Sequence, residues 1–253
     1  MIFHYQTDAG KVRSHNEDSV TIVSNKSGEY LLVVADGMGG HRAGEVASSM
    51  AVTELGSRFQ KLGSIGNKID AVNWLKEIIE EINLNIIKYA NEHVDSTGLG
   101  TTCVAAVLTN DYLIFANVGD SSGFVKKDGK LYKVTKDHTL VNILVETGEL
   151  RPEEAEHHPQ KNVLMRALGA SEKVDVDIFA VEDPVDEIIL CSDGLTNMLT
   201  AEQIEKVLNE DDLSIEEKVN KLINKSNMRG GNDNISIAYL IKKSGDTCDS
   251  KRF

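Results

Sequence analysis

Apolar and polar positions alternate along much of the chain in short runs bounded by turn residues. IFHYQTD (2–8), DSVTIVS (18–24) and YLLVVAD (30–36) read as strands. Two helical stretches follow: AGEVASSMAVTELGSRF, from Ala43, and a second in which Leu75, Ile78, Ile79, Ile82 and Ile86 fall on one face. Short strands resume with TTCVAAVLT, YLIFANVGD and GFVKKDGKLYKVT, separated by turn signals at Thr109-Asn110-Asp111 and Asp128-Gly129. Residues 137–170 break the rhythm with HTLVNILVETGEL, the acidic RPEEAEHHPQ and VLMRALG, which read as short helices on an excursion from the sheet. VDVDIFAVE and EIILCSD are strands, AEQIEKVLNE and SIEEKVNKLINKS helices, and NISIAYLIK a last strand. Tight turns between strands imply antiparallel pairing, and helices arrive in pairs rather than alternating with single strands. The pattern predicts an α+β layered sandwich, not a doubly wound parallel sheet.

Composition narrows the class. With 253 residues, 41% hydrophobic and 26% charged, the chain is long enough to bury a sizeable core. There is no repeat or low-complexity linker, and SGDTCDSKRF at the end reads as a polar tail. We expect one domain over 1–243 and a tail over 244–253. A formal charge of −13 and a pI near 5.0 argue against nucleic acid or an anionic membrane as the main partner. No apolar run approaches the roughly 18 residues that span a bilayer, and MIFHYQTDAGK lacks the pattern of a signal peptide. Cys103, Cys191 and Cys248 are odd in number and form no zinc spacing. Two sit in apolar runs as small buried hydrophobes, which points to a reducing, cytoplasmic setting.

The chemistry lies in carboxylates at strand ends. Glu17 and Asp18 precede SVTIVS, Asp36 ends LLVVA, Asp120 ends LIFANVG, Asp193 ends EIILCS and Asp233 precedes NISIAYLI. Any one Asp-Gly after a strand is most simply a turn, and Asp193 could cap a helix. Six acids recurring at strand edges are harder to dismiss, because charges there are costly unless paired or bound to a cation. Strong bases are scarce: Arg13 near the first group and Arg42 near the second. The candidate ligands are all oxygens, which favours Mg²⁺ or Mn²⁺. Gly37 would let its carbonyl approach a cation beside Asp36, and Gly39 and Gly40 would permit a tight positive-φ path.

KVRSHNEDS, ADGMGGHRAGEVAS, GLGTTCVAAV, ANVGDSSGFV, KDHTLVNILVETGEL, HHPQKNVLMRALG, CSDGLTNML and GGNDNISIAYL, in that order from about residue 5 to 241, resemble the successive motifs of bacterial PP2C-type (PPM) protein serine/threonine phosphatases. The resemblance implies a four-layer αββα sandwich, two stacked antiparallel sheets flanked by helices, with two divalent cations at one edge. By motif, Asp36 would bridge both metals and Asp193 and Asp233 would hold one. The Gly37 carbonyl, with Glu17 or Asp18, would hold the other. Asp120 would serve a third, weaker site with Asp193, Arg13 would grip substrate phosphate, and residues 137–170 would form a flap. The implied reaction is hydrolysis of phosphoserine and phosphothreonine in proteins, opposing a serine/threonine kinase, by a monomer.

Two departures stand out. Family members often have arginine after Gly-Asp-Ser, where this chain has Ser122, and Met38 occupies the position of a general-acid histidine in the eukaryotic branch. His41 is a proton-donor candidate, with a metal-bound water as the alternative. His138 is expected to fix the flap base, and the acids at 153–156 to be solvated. Aspartyl-phosphate hydrolases would need a DxD nucleophile, which Asp36-Gly37-Met38 does not supply. A non-catalytic binding module is the rival reading, and retention of Arg13, Asp36, Asp193 and Asp233 argues against it.

Overall fold

The computed structural model describes residues 1–39, 43–93, 98–155, 158–182 and 184–242. Three strands open it, β1 (Ile2–Asp8), β2 (Asp18–Ser24) and β3 (Tyr30–Met38), followed by helices α1 (Ala43–Lys61) and α2 (Lys68–Glu92). Then come β4 (Gly100–Thr101), β5 (Cys103–Leu108), β6 (Leu113–Val118), β7 (Ser122–Lys127) and β8 (Lys130–Lys133). Short helices α3 (Leu140–Glu146) and α4 (Pro152–Ala155) precede β9 (Asp177–Val181) and β10 (Glu187–Cys191). Helices α5 (Asp193–Thr196), α6 (Ala201–Leu208) and α7 (Ile215–Met228) and strand β11 (Ile235–Ile241) complete it.

Every strand pairing is antiparallel, as the tight turns require. One sheet runs β1-β11-β10-β7-β8 and the other β2-β3-β5-β6-β9, with β4 beside β3. The period-2 alternation of side chains assigns the layers. In β3 and β5, Leu31, Val33, Cys103, Ala105 and Val107 pack under α1 and α2. Leu32, Val34, Val104, Ala106 and Leu108 face the other sheet, meeting Ile188, Leu190, Ala238 and Leu240. The remaining face of that sheet carries Ile189, Cys191, Ile237 and Tyr239 against Leu195, Val207, Leu222 and Ile223 of α5, α6 and α7. The result is a four-layer αββα sandwich. β5 is buried on both faces, so it reads as an unbroken apolar run with no polar alternation.

Local signals set several boundaries. Asn67 caps α2: its side chain accepts from the backbone of Ile69 and Asp70, while Asp70 accepts from the Asn67 backbone. The β7–β8 hairpin turns on Asp128 and Gly129, with φ of 51° and 77°, the geometry a two-residue turn of this hand needs. The excursion is helical only at α3 and α4. VLMRALG, expected to be helical, is extended chain instead: Thr139 bridges Leu164, and Leu168 exchanges both backbone hydrogen bonds with Thr101. Tertiary pairing to the sheet edge overrides its helix propensity. The tail proposed for 244–253 lies outside the described residues. Among the described residues no helix is long and apolar enough to cross a membrane.

Candidate metal centre and phosphate cleft

Residue pairing between β2 and β3 sets Asp18 directly across from Asp36. Thr102 fixes Asp36 by accepting from its backbone N–H through Oγ1 at 2.9 Å and donating its own N–H to the Asp36 carbonyl at 2.9 Å. The second sheet brings acids from the opposite side. Asp193 begins α5 as the chain leaves β10, and Asp233 sits just before β11. Asp120 lies in the turn between β6 and β7. A cleft of about 260 Å³ opens at this edge, lined by Arg13, Glu17, Asp36, Gly37, Asp120, Asp193 and Asp233 together with Met38, Gly39, Thr102, Asn162 and Leu164. Seven residues singled out in the sequence therefore converge. Asp18 does not line the cleft; it is 7% exposed and accepts from the Ser192 hydroxyl at 2.7 Å.

Like charges in poor contact with water are the dominant electrostatic fact. Burial, then the charges of Asp18, Asp193, Asp120 and Asp233, hold the Asp36 carboxyl well above the usual carboxylate range. Burial pushes Asp18 up to about 7, with Asp193 and Asp233 adding and the Ser192 hydroxyl opposing. Asp120 is pushed up to about 7 by burial and then by Asp193 and Asp137. Burial and Asp233 raise Asp193, against hydrogen bonds from Asp36 and Asn197. Burial also raises Glu17, with Arg13 opposing. Arg13 is the one cation lining the cleft among the described residues. It donates through Nη2 to Asp233 Oδ2 at 2.8 Å, and with its side chain 53% exposed it keeps guanidinium N–H groups free for a ligand.

Of six buried side-chain atoms without a partner among the described residues, two, Asp18 Oδ1 and Asp193 Oδ1, belong to this cluster. Native interiors rarely leave such atoms without a partner. Among the described residues no three Asp, Glu, His or Cys side chains stand together closely enough to hold a metal ion by themselves. The donors instead form an open, oxygen-only set with excess negative charge, which suits a hard divalent cation that keeps water or substrate among its ligands. The residues present fit such an ion.

Gly37 is also required by packing. A Cβ there would lie 2.2 Å from the Gly44 carbonyl oxygen and 2.4 Å from that of Glu17. Glycine is needed because α1 and the loop before β2 both press on the end of β3, not only to bare a carbonyl. Gly39, with φ of 143°, does take the positive-φ path expected of it, whereas Gly40, His41 and Arg42 lie outside the described residues.

Several supporting residues escaped the sequence reading. Asn234 is buried and staples the Arg13 loop: its side chain accepts from the Glu17 N–H at 2.8 Å and donates to the carbonyls of Ala9 and His15 at 3.0 and 2.9 Å. Ser192 ties Asp18 to the Ser236 N–H. Asn197 donates to Asp193 Oδ2 at 2.9 Å from one turn along α5; its i,i+4 spacing was the only one of these signals visible beforehand. Cys103 and Cys191 are buried free thiols, pushed up to about 12 by burial, so neither is a nucleophile. Cys248 lies outside the described residues.

Comparison with known proteins agrees with the geometry. The sequence pattern described as protein phosphatase 2C matches residues 6–229. The serine/threonine phosphatase stp of Listeria welshimeri is 43% identical over 237 residues, covering 93% of this chain and 94% of the relative. The solved S. agalactiae serine/threonine phosphatase superposes with a TM-score of 0.90 at 38% identity, over 95% of this chain and 99% of that one. Serine/threonine phosphatase Stp1 from Staphylococcus aureus gives a TM-score of 0.89 at 36% identity, over 95% and 94% of the two chains.

Proposed function

The chain belongs to the protein phosphatase 2C family, and from that premise we propose that its strand-end acids are a divalent-cation site facing a phosphate clamp. The enzyme is a protein serine/threonine phosphatase, its substrates are phosphorylated proteins, and the family's chemistry depends on divalent metal ions. The observation that carries the site assignment is the cluster of buried like-charged carboxyls with two unpartnered oxygens and, among the described residues, one facing cation.

We assign two Mn²⁺ or Mg²⁺ ions to Asp36, Asp193, Asp233, the Gly37 carbonyl and Glu17. Asp18 supports them. Asp120 and Asp193 serve a third, weaker position. Bound cations in such a site lower the pKa of water and neutralise phosphoryl charge. This chain's residues do the rest. Arg13, at the cleft mouth and held by only one of its N–H groups, orients the phosphate through its planar fork. Leu164 and Met38 line the cleft and limit access of bulk water. An adjoining hollow of about 460 Å³ shares Asp120, Asn162 and Asp193 with the cleft and leaves room for the polypeptide around the phosphoresidue. We assign His41 as proton donor to the leaving oxygen; full phosphopeptide turnover by His41→Ala would remove it from that role. A serine/threonine kinase of the same cell supplies the phosphoproteins. All assigned residues come from one chain, so a monomer suffices, and the buried free thiols suit the cytoplasm.

The test is turnover of p-nitrophenyl phosphate and of a phosphothreonine peptide in EDTA, then with Mn²⁺ or Mg²⁺ restored. Activity should vanish with chelator, return with metal and be absent in Asp36→Asn. Folded protein inactive under every metal would leave a binding module instead.

A further inference from the structure

Away from the acids, one histidine joins three separate parts of the chain. His138 is 8% exposed. Its backbone N–H donates to the Gly119 carbonyl at 2.9 Å, and its Nδ1 accepts from the Gly119 N–H at 3.0 Å. Gly119 is thus clamped on both sides by one residue. The partner of Nδ1 is a backbone N–H, so Nδ1 must be the acceptor, and the proton of the neutral ring sits on Nε2. Nε2 faces Asp177 Oδ2 at 3.1 Å. Arg166 donates to the other oxygen of Asp177 at 2.8 Å and lies 3.3 Å from Nε2. Burial would raise Asp177, but the His138 and Arg166 bonds prevail and hold it below the usual range, so it is a stable acceptor.

What this clamp fixes is the approach to Asp120. Gly119 has φ of 107°, and a Cβ there would lie 2.6 Å from Thr102 Cγ2, so the turn is forced against Thr102. Ser121, on the far side of Asp120, shares a 2.7 Å hydrogen bond with Thr102 Oγ1, the atom that accepts from the Asp36 N–H. The backbone on both sides of Asp120 is therefore pinned, by His138 before it and by Thr102 after it. The His138 carbonyl accepts from the Met165 N–H at 2.8 Å, beside Leu164, which lines the cleft.

We propose that His138, held in its Nε2–H tautomer by the Gly119 N–H and Asp177, is a positioning residue that sets the Gly119–Asp120 turn and so places the Asp120 carboxylate in the cation site. The proposal rests on the assignment of Asp120 to that site. It singles out one nitrogen, and substitution can separate the two. Asparagine can offer an oxygen where Nδ1 stands, keeping the Gly119 bond. Glutamine can offer a donor where Nε2 stands, keeping only the Asp177 bond.

Mn²⁺ binding by isothermal titration calorimetry, with thermal unfolding in EDTA as a check on folding, tests it for the full chain. His138→Ala and His138→Gln should each weaken the weaker class of Mn²⁺ sites by roughly tenfold or more, the usual effect of losing a group that orients a ligand. His138→Asn should stay within about threefold of wild type, since it preserves the orienting bond. In an Asp120→Asn background, His138→Ala should change Mn²⁺ binding no further. Rescue by glutamine but not asparagine would overturn the assignment of Nδ1. Wild-type binding in all three variants, or additive losses with Asp120→Asn, would overturn the proposal. A weak Mn²⁺ class untouched by Asp120→Asn alone would overturn the Asp120 assignment first, and the role of His138 with it.

Discussion

Strand β10 carries buried charge at both ends, and the two ends are built oppositely. At its start Glu187 accepts from Lys126 Nζ at 2.6 Å and from the Tyr239 hydroxyl, and Lys126 also reaches the Leu208 carbonyl. Burial and the Glu187 carboxylate hold the Tyr239 phenol above its ordinary pKa, so it remains a donor. Lys218 donates to the same Leu208 carbonyl at 2.7 Å, closing the network at the C-terminus of α6. Just past the other end of the strand, Asp193 joins Asp36, Asp120 and Asp233 with Arg13 as the single facing cation among the described residues, and one of its oxygens has no partner. Both clusters cost desolvation free energy. Among the described residues, only the first recovers it from within the chain. A buried charge cluster that balances is scaffold, whereas one that does not is waiting for something from outside.

Opposite substitutions should separate the two ends. Asp36→Asn should abolish turnover by more than the roughly hundredfold cost of losing a supporting contact at a metal site, while the metal-free protein unfolds no more easily than wild type. Glu187→Ala should do the reverse. It strands Lys126 and Tyr239 in the core at a cost of about 3–5 kcal/mol, read by urea unfolding, with kcat unchanged at temperatures where the protein stays folded. Loss of stability in Asp36→Asn equal to that in Glu187→Ala would erase the distinction.

Arg13→Ala sharpens the comparison from the cation's side. Its hydrogen bonds to a charged phosphate are worth about 1.5–3 kcal/mol, so kcat/KM on a phosphopeptide should fall roughly tenfold to a hundredfold. Mn²⁺ affinity should change far less.

The smallest effect is in pH. Asp18 and Asp120 are both raised in the folded chain to about 7 from the ordinary 3.8. They bind more protons folded than unfolded in that window, so their contribution is present below about pH 4 and lost as pH rises through about 7. Chelated protein should therefore melt lower at about pH 8 than at about pH 5. Saturating Mn²⁺ should reverse the slope, because the ionised carboxylates are what bind it. Melting curves in EDTA and in Mn²⁺ at the two pH values would show whether the slope changes sign.

The layers were legible because period-2 and period-3.6 patterns survive wherever one face meets a core, as in β2 and α2. β5 kept its identity through β-branched content and turn signals despite losing alternation. The site acids were legible for a related reason: a chain entering or leaving a sheet presents its end residues to whatever the edge holds, and Asp36 lies near the end of β3, Asp193 follows β10 and Asp233 precedes β11. Their supports were not. His138 depends on Asp177, 39 positions away, and Asn234 on His15, 219 positions away, across registers that no local pattern encodes. VLMRALG misled because apolar residues that grip a sheet edge look, in sequence, like one face of a short helix.

The central claim is that the acid cluster is incomplete without a cation, and thermal unfolding of wild type and Asp36→Asn, each in EDTA and in Mn²⁺, tests it most directly. The account predicts that Mn²⁺ raises the wild-type Tm by several degrees and leaves Asp36→Asn nearly unmoved, while in EDTA Asp36→Asn melts at or above wild type because a buried carboxyl crowded by like charges is replaced by a neutral amide. A wild-type Tm indifferent to Mn²⁺, with Asp36→Asn melting well below it in EDTA, would contradict the account and make the acids part of the scaffold.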